Sequence, residues 1–358
     1  MKKWRLAAAA ALIAAFAVCL FLMLSPGSSS AQPLRLWYIS GDCSDKALAS
    51  LVSDYNRRGG KRARPVSVQR LEDEAALGAA FETDMPDLLL CSHAKAVQLD
   101  SRAVLAKFET DTDVWTQEVS GLDGVGEYFF PLGARVTVLV TDTAKCEAAG
   151  LPASWDSLEA LLDTAQDYAA SSGAAFLAVD SYAAVFRGAL LSLGADFDPA
   201  APDAKVEDYA KIYNALAQCA YNGGLSVAKS SSGDLPCMLA QSTAVGGGLP
   251  SSLSASLAPL PEGGSDMRPA ELLGIAVLRH ENDDSDAAIA FIDWLCGRER
   301  LSKLALDSGL VPVSELDSKS GSPLLELYDC GKLSFSDTDG STEREFDAQF
   351  RRTIELLG

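Results

Sequence analysis

Along the first third of the chain, apolar and polar positions fall into short blocks of two kinds. Leu34-Arg-Leu-Trp-Tyr-Ile39 has the composition of a strand, and Ser40-Gly41-Asp42 after it that of a turn. From Asp45 to Arg57, Leu48, Leu51, Val52 and Tyr55 recur at helical spacing, which predicts a helix stopped by Gly59-Gly60. Pro65 to Leu71 alternates with the two-residue period of a strand. Pro86-Asp87-Leu-Leu-Leu-Cys91 is short and continuously apolar, as in a strand buried on both faces. Strand, helix, strand, helix, strand is the order of a mainly parallel α/β sheet.

Phe129-Phe130-Pro131-Leu132-Gly133 interrupts that order, and Arg135 to Thr141 is expected as another strand. Ser154 is placed as the N-cap of a helix carrying Leu158, Leu161, Leu162 and Ala165. Further helices are expected over Tyr182 to Leu193 and Val206 to Tyr221. Lys229 to Ser256 is rich in Ser and Gly, with Gly246-Gly247-Gly248 at its middle. It is too long for a turn, which predicts a short element and a role in binding or movement. Leu257-Ala-Pro-Leu-Pro261 and Leu272 to Leu278 return to strand-like sequence. Helices follow over Asp286 to Cys296 and Arg298 to Ser308, the second ended by Gly309 and Pro312. Thr342-x-x-Glu345 is a capping box opening a helix with an apolar stripe of Phe346, Phe350 and Ile354.

At 358 residues the chain exceeds one ordinary core and suits two lobes. Its net charge of -19 repels a phosphate backbone, so nucleic acid is excluded as a partner. Residues 1–31 hold Lys2, Lys3 and Arg5 and no acid, then an unbroken apolar run from Leu6 to Leu24, then small polar residues: the layout of an export signal. Three outcomes fit it: cleavage after Ser29-Ser30-Ala31, retention as a membrane anchor, or lipid attachment at Cys19. All three put the body outside the cytoplasm. The other seven cysteines form no C-x-x-C pair, so neither a zinc ribbon nor a redox motif is indicated. Most read as buried small apolar residues, with one or two disulfides open to them in an oxidising compartment.

Several blocks, taken in order, carry a resemblance. They are Pro86-Asp87-Leu-Leu-Leu, Phe130-Pro131-Leu132-Gly133, Ala149-Gly150-Leu151-Pro152 and Ser154-Trp155-Asp156-Ser157-Leu158. Ala288-x-x-Phe291-Ile-x-x-Leu295 and Leu304-Ala305-x-x-x-Gly309-x-Val311-Pro312 follow. From Leu34 to Glu315 the chain resembles the extracellular solute-binding proteins of ABC importers, the group that includes maltose-binding protein. It departs from them in having no aromatic residue between Asn222 and His280, where the family often carries one that stacks on sugar.

The resemblance implies an α/β fold of the two-lobed, type II periplasmic-binding-protein kind, with a hinge and an interlobe cleft. One lobe would take 32–131 and 263–313, the other 132–262 and 314–358. The ligand would sit at the carboxyl ends of the strands and close the hinge by touching both lobes. It implies a monomer that takes no cofactor or metal and hands a small solute to the membrane permease of an ABC importer. Sugars or small oligosaccharides come first as ligands, with polyamines or other cationic solutes as the alternative.

Ser40, Gly41 and Asp42 precede a helix N-terminus, where free N–H groups hold oxygen atoms; the acids favour hydroxyls or an ammonium group over an anion. A capped turn explains the same residues. Ser92 follows a central strand and is placed near the cleft to donate to a ligand oxygen. Tyr38, Phe130 and Tyr182 are aromatic candidates for packing on a sugar face, against the plain alternative of core packing. Asp180 would cap a helix or bind hydroxyls, and Gly247 would let backbone approach the ligand. Arg135 would pair with a ligand carboxylate or form a surface or interlobe salt bridge. A secreted hydrolase is the competing class, but G-x-S-x-G and HExxH are absent and His93 and His280 are the only histidines. A carboxylate-pair glycosidase is left open by the many acids. A third reading is an anchored sensor on the same fold.

Overall fold

Strand-forming blocks recur from Leu34 to Phe335, and in the computed structural model they build two sheets. In chain order they are β1 (Leu34–Ile39), β2 (Val66–Leu71), β3 (Leu88–Ser92), β4 (Phe129–Arg135), β5 (Thr137–Asp142), β6 (Leu177–Val179), β7 (Leu225–Ser226), β8 (Cys237–Gln241), β9 (Leu253–Leu257), β10 (Arg268–Val277) and β11 (Leu333–Phe335). The structure describes residues 32–58, 64–110, 112–195, 197–198, 206–226, 234–280, 285–314, 324–325, 332–335 and 340–356. The expected export segment with Cys19, the expected helix stop at Gly59-Gly60, and Cys330 lie outside them.

The helices are α1 (Asp45–Arg58), α2 (Glu74–Phe81), α3 (His93–Asp100), α4 (Gln117–Ser120), α5 (Thr143–Ala148), α6 (Leu158–Ser172), α7 (Tyr182–Ser192), α8 (Val206–Tyr221), α9 (Ser285–Leu295), α10 (Arg298–Asp307) and α11 (Gly340–Glu355). Their starts follow local chemistry. Asp73, Ser92, Asp142, Ser157 and Ser181 each accept a hydrogen bond from a first-turn N–H with their side chains. The cap of α6 is therefore Ser157 and not Ser154, because Ser157 Oγ reaches the Ala160 N–H at 3.1 Å.

The first sheet runs β11-β10-β3-β1-β2, with β4 also on β10. β1 lies parallel between β2 and β3, and β10 pairs antiparallel with both β3 and β4. The Phe129–Gly133 block, expected as an interruption, is strand. Pro131 has no N–H to give a ladder, and the register between β4 and β10 shifts beside it, at Leu273/Gly274. The second sheet runs β7-β6-β8-β5-β9. The Ser/Gly-rich segment supplies two of its strands, β8 and β9, and a 3₁₀ turn over Ser242–Val245.

One core runs from the first sheet onto one face of the second, through Val138, Val140, Met238 and Ala240, and a separate core lies on the other face of the second sheet. β1 and β3 are walled by Leu48, Val52 and Tyr55 of α1 and by Phe291 and Ile292 of α9. One face of the second sheet is covered by α6, α7, α8 and α11, with Phe186 packed edge-on against Phe346 and Phe350 at 5.3 Å. Each fully buried side chain of this size contributes about 1.5–3 kcal/mol. The chain passes between the sheets at Val136, again between β9 and β10, and Val311 bonds back to Ala134 at 2.8 Å in both directions.

Candidate functional site

β1 and β3 are parallel and β10 is antiparallel to them, so one edge of the first sheet gathers the turn after β1, the end of β3 and the start of β10. β4 ends on that edge too, because Arg135 is the register partner of Glu271. Three charged side chains meet there. Arg135 Nη1 donates to Asp42 Oδ1 at 3.0 Å, its Nε donates to Glu271 Oε2 at 2.9 Å, and its Nη2 pairs with the same oxygen. Their side chains are 19%, 13% and 31% exposed. Burial pushes the Asp42 carboxyl up to about 6 against the pull of Arg135, and Glu271 adds to the rise. Burial works against the charge of Arg135, but Glu271 and Asp42 hold it above its ordinary range.

Around this array the turn after β1 is wired locally. Gly41 is exposed with φ +94°, a conformation natural to glycine, and lets Asp42 N–H return to the Ile39 carbonyl at 3.1 Å. Arg70 donates to Ser40 Oγ at 2.7 Å and to Asp45 Oδ2 at 2.8 Å. Tyr38 is buried and donates to Asp45 Oδ1 at 2.7 Å; burial and then that bond raise its phenol well above the ordinary range. Ser92 is half-buried, and its Oγ caps α3 by accepting from Lys95 N at 3.3 Å. Lys95 in turn reaches Glu74 at 3.2 Å. Tyr38, Ser40, Gly41, Asp42 and Ser92 thus share one edge.

The second sheet brings Gly247 toward them. Gly247 N–H donates to the Asp307 carbonyl at 2.6 Å, and its Cα faces Ser44. A Cβ on Gly246 would sit 2.6 Å from the backbone of Ser308, and one on Gly309 would collide with the Ser242 carbonyl. Three glycines therefore allow backbone from the two halves to touch.

Other expected residues lie elsewhere. Phe130 is fully buried in β4, edge-on to Trp115 at 5.2 Å, because it packs into the core of the first sheet. Tyr182 is also fully buried, tilted against Phe350 at 4.7 Å with Arg351 4.9 Å from its ring centre. Asp180 is exposed at the end of β6, but α11 covers the neighbouring backbone: Arg351 donates to the Val179 and Asp180 carbonyls at 2.8 and 2.7 Å. Asp347 accepts from the Ala183 N–H at 2.7 Å. The α11 stripe was legible, but not that it would cap α7.

Glu271, Lys95, Glu74 and Ser242 were missed. A charge opening a strongly apolar strand, as Glu271 does before Leu272–Val277, was the available signal. A cavity of about 20 Å³ beside α7, lined by Thr137, Leu239, Ala258 and Arg268, has room for about one water.

Residues 50–316 match the family model of the bacterial extracellular solute-binding protein. A comparison with curated proteins gives no match. Among solved structures, an ABC substrate-binding protein from Listeria monocytogenes in complex with cycloalternan is 12% identical, with a TM-score of 0.70 over 91% of this chain and 94% of that one. The cyclic alpha-maltosyl-1,6-maltose binding protein from Arthrobacter globiformis is 15% identical, with a TM-score of 0.65 over 91% and 94%. The spermidine/putrescine ABC transporter substrate-binding protein of Streptococcus pneumoniae is 10% identical, with a TM-score of 0.63 over 91% and 99%. Two sheets joined by repeated crossings, polar groups gathered at the strand ends and a family match over 50–316 agree: the chain belongs to the bacterial extracellular solute-binding proteins.

Proposed function

We propose that this protein captures a sugar or small oligosaccharide between its two halves and delivers it, unchanged and as a monomer, to the membrane permease of an ABC importer. The supporting observation is the array of Asp42, Arg135 and Glu271 on the strand-end edge, beside Ser40 and Ser92. One cation held between two carboxylates leaves no positive excess to attract an anion. It offers fixed donors and acceptors side by side, which suits hydroxyl groups that both donate and accept. Ser40, Gly41, Asp42 and Ser92 contact the solute from the first half and Gly247 from the second. Tyr38 orients Asp45 from beneath. Contacts from both halves make closure depend on the ligand. Residues 1–31 export the chain and end cleaved, lipid-attached at Cys19 or retained as an anchor.

A thermal-shift screen against sugars, oligosaccharides, polyamines, amino acids and oxyanions tests this. A sugar at a hundred times its Kd adds about 2.7 kcal/mol of stability, a shift of several degrees. A response to polyamines alone replaces the sugar with a cationic solute. Silence across every class from folded protein removes the solute-capture reading, and chemical change of a bound sugar would make the protein an enzyme.

A further inference from the structure

We infer that Cys146 and Cys237 are joined by a disulfide when the protein folds outside the cytoplasm, a modification site that staples α5 to β8. β5 and β8 are antiparallel neighbours with Thr141 opposite Cys237, whose Sγ lies 3.9 Å from Thr141 Oγ1. One residue on, the Asp142 N–H donates to the Pro236 carbonyl at 2.8 Å, and Asp142 Oδ1 caps α5 by accepting from Lys145 N at 3.1 Å. Lys145 Nζ reaches the Asp234 carbonyl at 2.9 Å. These ties hold the first turn of α5 over the start of β8. They bring Cys146, the next residue, to the side of Cys237, close enough for each free thiol to shift the other's ionisation, and each is 1% exposed. Cys43 and Cys219 have different neighbours: Cys43 Sγ lies 3.0 Å from Ser308 Oγ, and Cys219 donates to the Leu162 carbonyl at 3.8 Å.

The chemistry is thiol–disulfide exchange. Either cysteine, as its thiolate, attacks one sulfur of an external disulfide and releases a thiol; the other cysteine then displaces the second. The Cys146–Cys237 bond forms and the oxidant's S–S bond breaks. Two electrons reduce the oxidant, and the two cysteine protons end on its leaving thiols. The oxidant is a small disulfide or a thiol–disulfide oxidoreductase of the compartment outside the cytoplasm. Both cysteines are buried, so exchange takes place during folding, before α5 closes over β8. The closed loop takes in α6, β6, α7 and α8, so its main effect is to restrict the unfolded chain.

The full chain is refolded with oxidised glutathione, denatured, alkylated without reduction, digested and mapped by mass spectrometry. The expected result is a linked peptide pair containing Cys146 and Cys237. A Tm several degrees above that of the reduced protein is expected with it, and this rise disappears in Cys146→Ala and Cys237→Ala. Alkylation of both cysteines in the refolded protein, or linkage of either to another cysteine, overturns the assignment. An unchanged Tm on reduction of the mapped bond overturns the stapling role. Mapping uses the unaltered chain, so it decides even where a variant fails to fold.

Discussion

Ser242 and Val136 exchange two hydrogen bonds where the chain first passes between the sheets. Val136 N–H donates to Ser242 Oγ at 3.2 Å, and Ser242 N–H donates to the Val136 carbonyl at 2.7 Å. Ser242 is fully buried. One bond uses the side chain and the other the backbone, so the end of β8 is tied to the crossing itself.

Ser242→Ala removes the acceptor and leaves a buried N–H unpaired. The expected cost is about 1–2 kcal/mol. Urea unfolding measures it as a lower midpoint with an unchanged slope. A midpoint equal to that of the parent would mean that water replaces the hydroxyl.

Arg135→Ala leaves Asp42 and Glu271 facing each other without their shared cation. Removing one partner of a mostly buried pair costs about 2–4 kcal/mol near neutral pH. The loss shrinks in acid, where Asp42 takes up a proton. Denaturation midpoints of variant and parent near pH 7 and pH 5 check both statements.

Asp42 titrates near 6 when folded and near 3.8 in the ordinary range, so between these values the folded chain holds a proton that the unfolded chain has released. Its stabilising contribution is fully present below about 3.8 and is lost as pH rises through about 6. Asp42→Asn abolishes that dependence. The stability of the parent minus that of the variant should fall by about 2 kcal/mol from pH 4 to pH 7. A difference that stays flat would place the Asp42 titration outside this window.

Gly246→Ala puts a methyl group against the Ser308 backbone, 2.6 Å from its carbonyl carbon. The segment after β8 must then lift from the first half, which weakens any state in which the halves touch. Ligand affinity should fall several-fold while Tm without ligand moves little. Isothermal titration and small-angle scattering with the screened ligand read the two effects separately.

Phe350→Ala empties the space where α11 meets Tyr182, Phe186 and Tyr213. About 3–5 kcal/mol is the expected cost. Because Asp347 and Arg351 flank Phe350 on α11 and bond to the start of α7 and the end of β6, the loss should also speed amide exchange in Ala183 and Ala184.

Most of the element order was determined by the sequence by itself. Period and composition mark β1, β2, β3 and the helices α1, α7, α8, α9 and α10, because these signals act over a few residues. Gly309, at φ +73°, ends its helix for the same local reason. The turn at Ser40–Asp42 and the end of β3 at Ser92 were legible as strand-end positions once parallel order was read. What only the tertiary structure decided is where distant segments meet. β4 became a strand because β10 lay beside it, though Pro131 argued against it locally. Phe130 and Tyr182 went to the cores because burial depends on what packs over a position, and α11 arrives from more than 150 residues away to cover Tyr182. Arg135 meets Glu271 only through the register of β4 with β10, Asp42 joins them only through the pairing of β1, β3 and β10, and Cys146 is brought to the side of Cys237 only through the register of β5 with β8. Periodicity says which face of an element is apolar; pairing across the fold decides which side chains become neighbours, and in this protein the candidate site and the candidate disulfide both rest on that pairing.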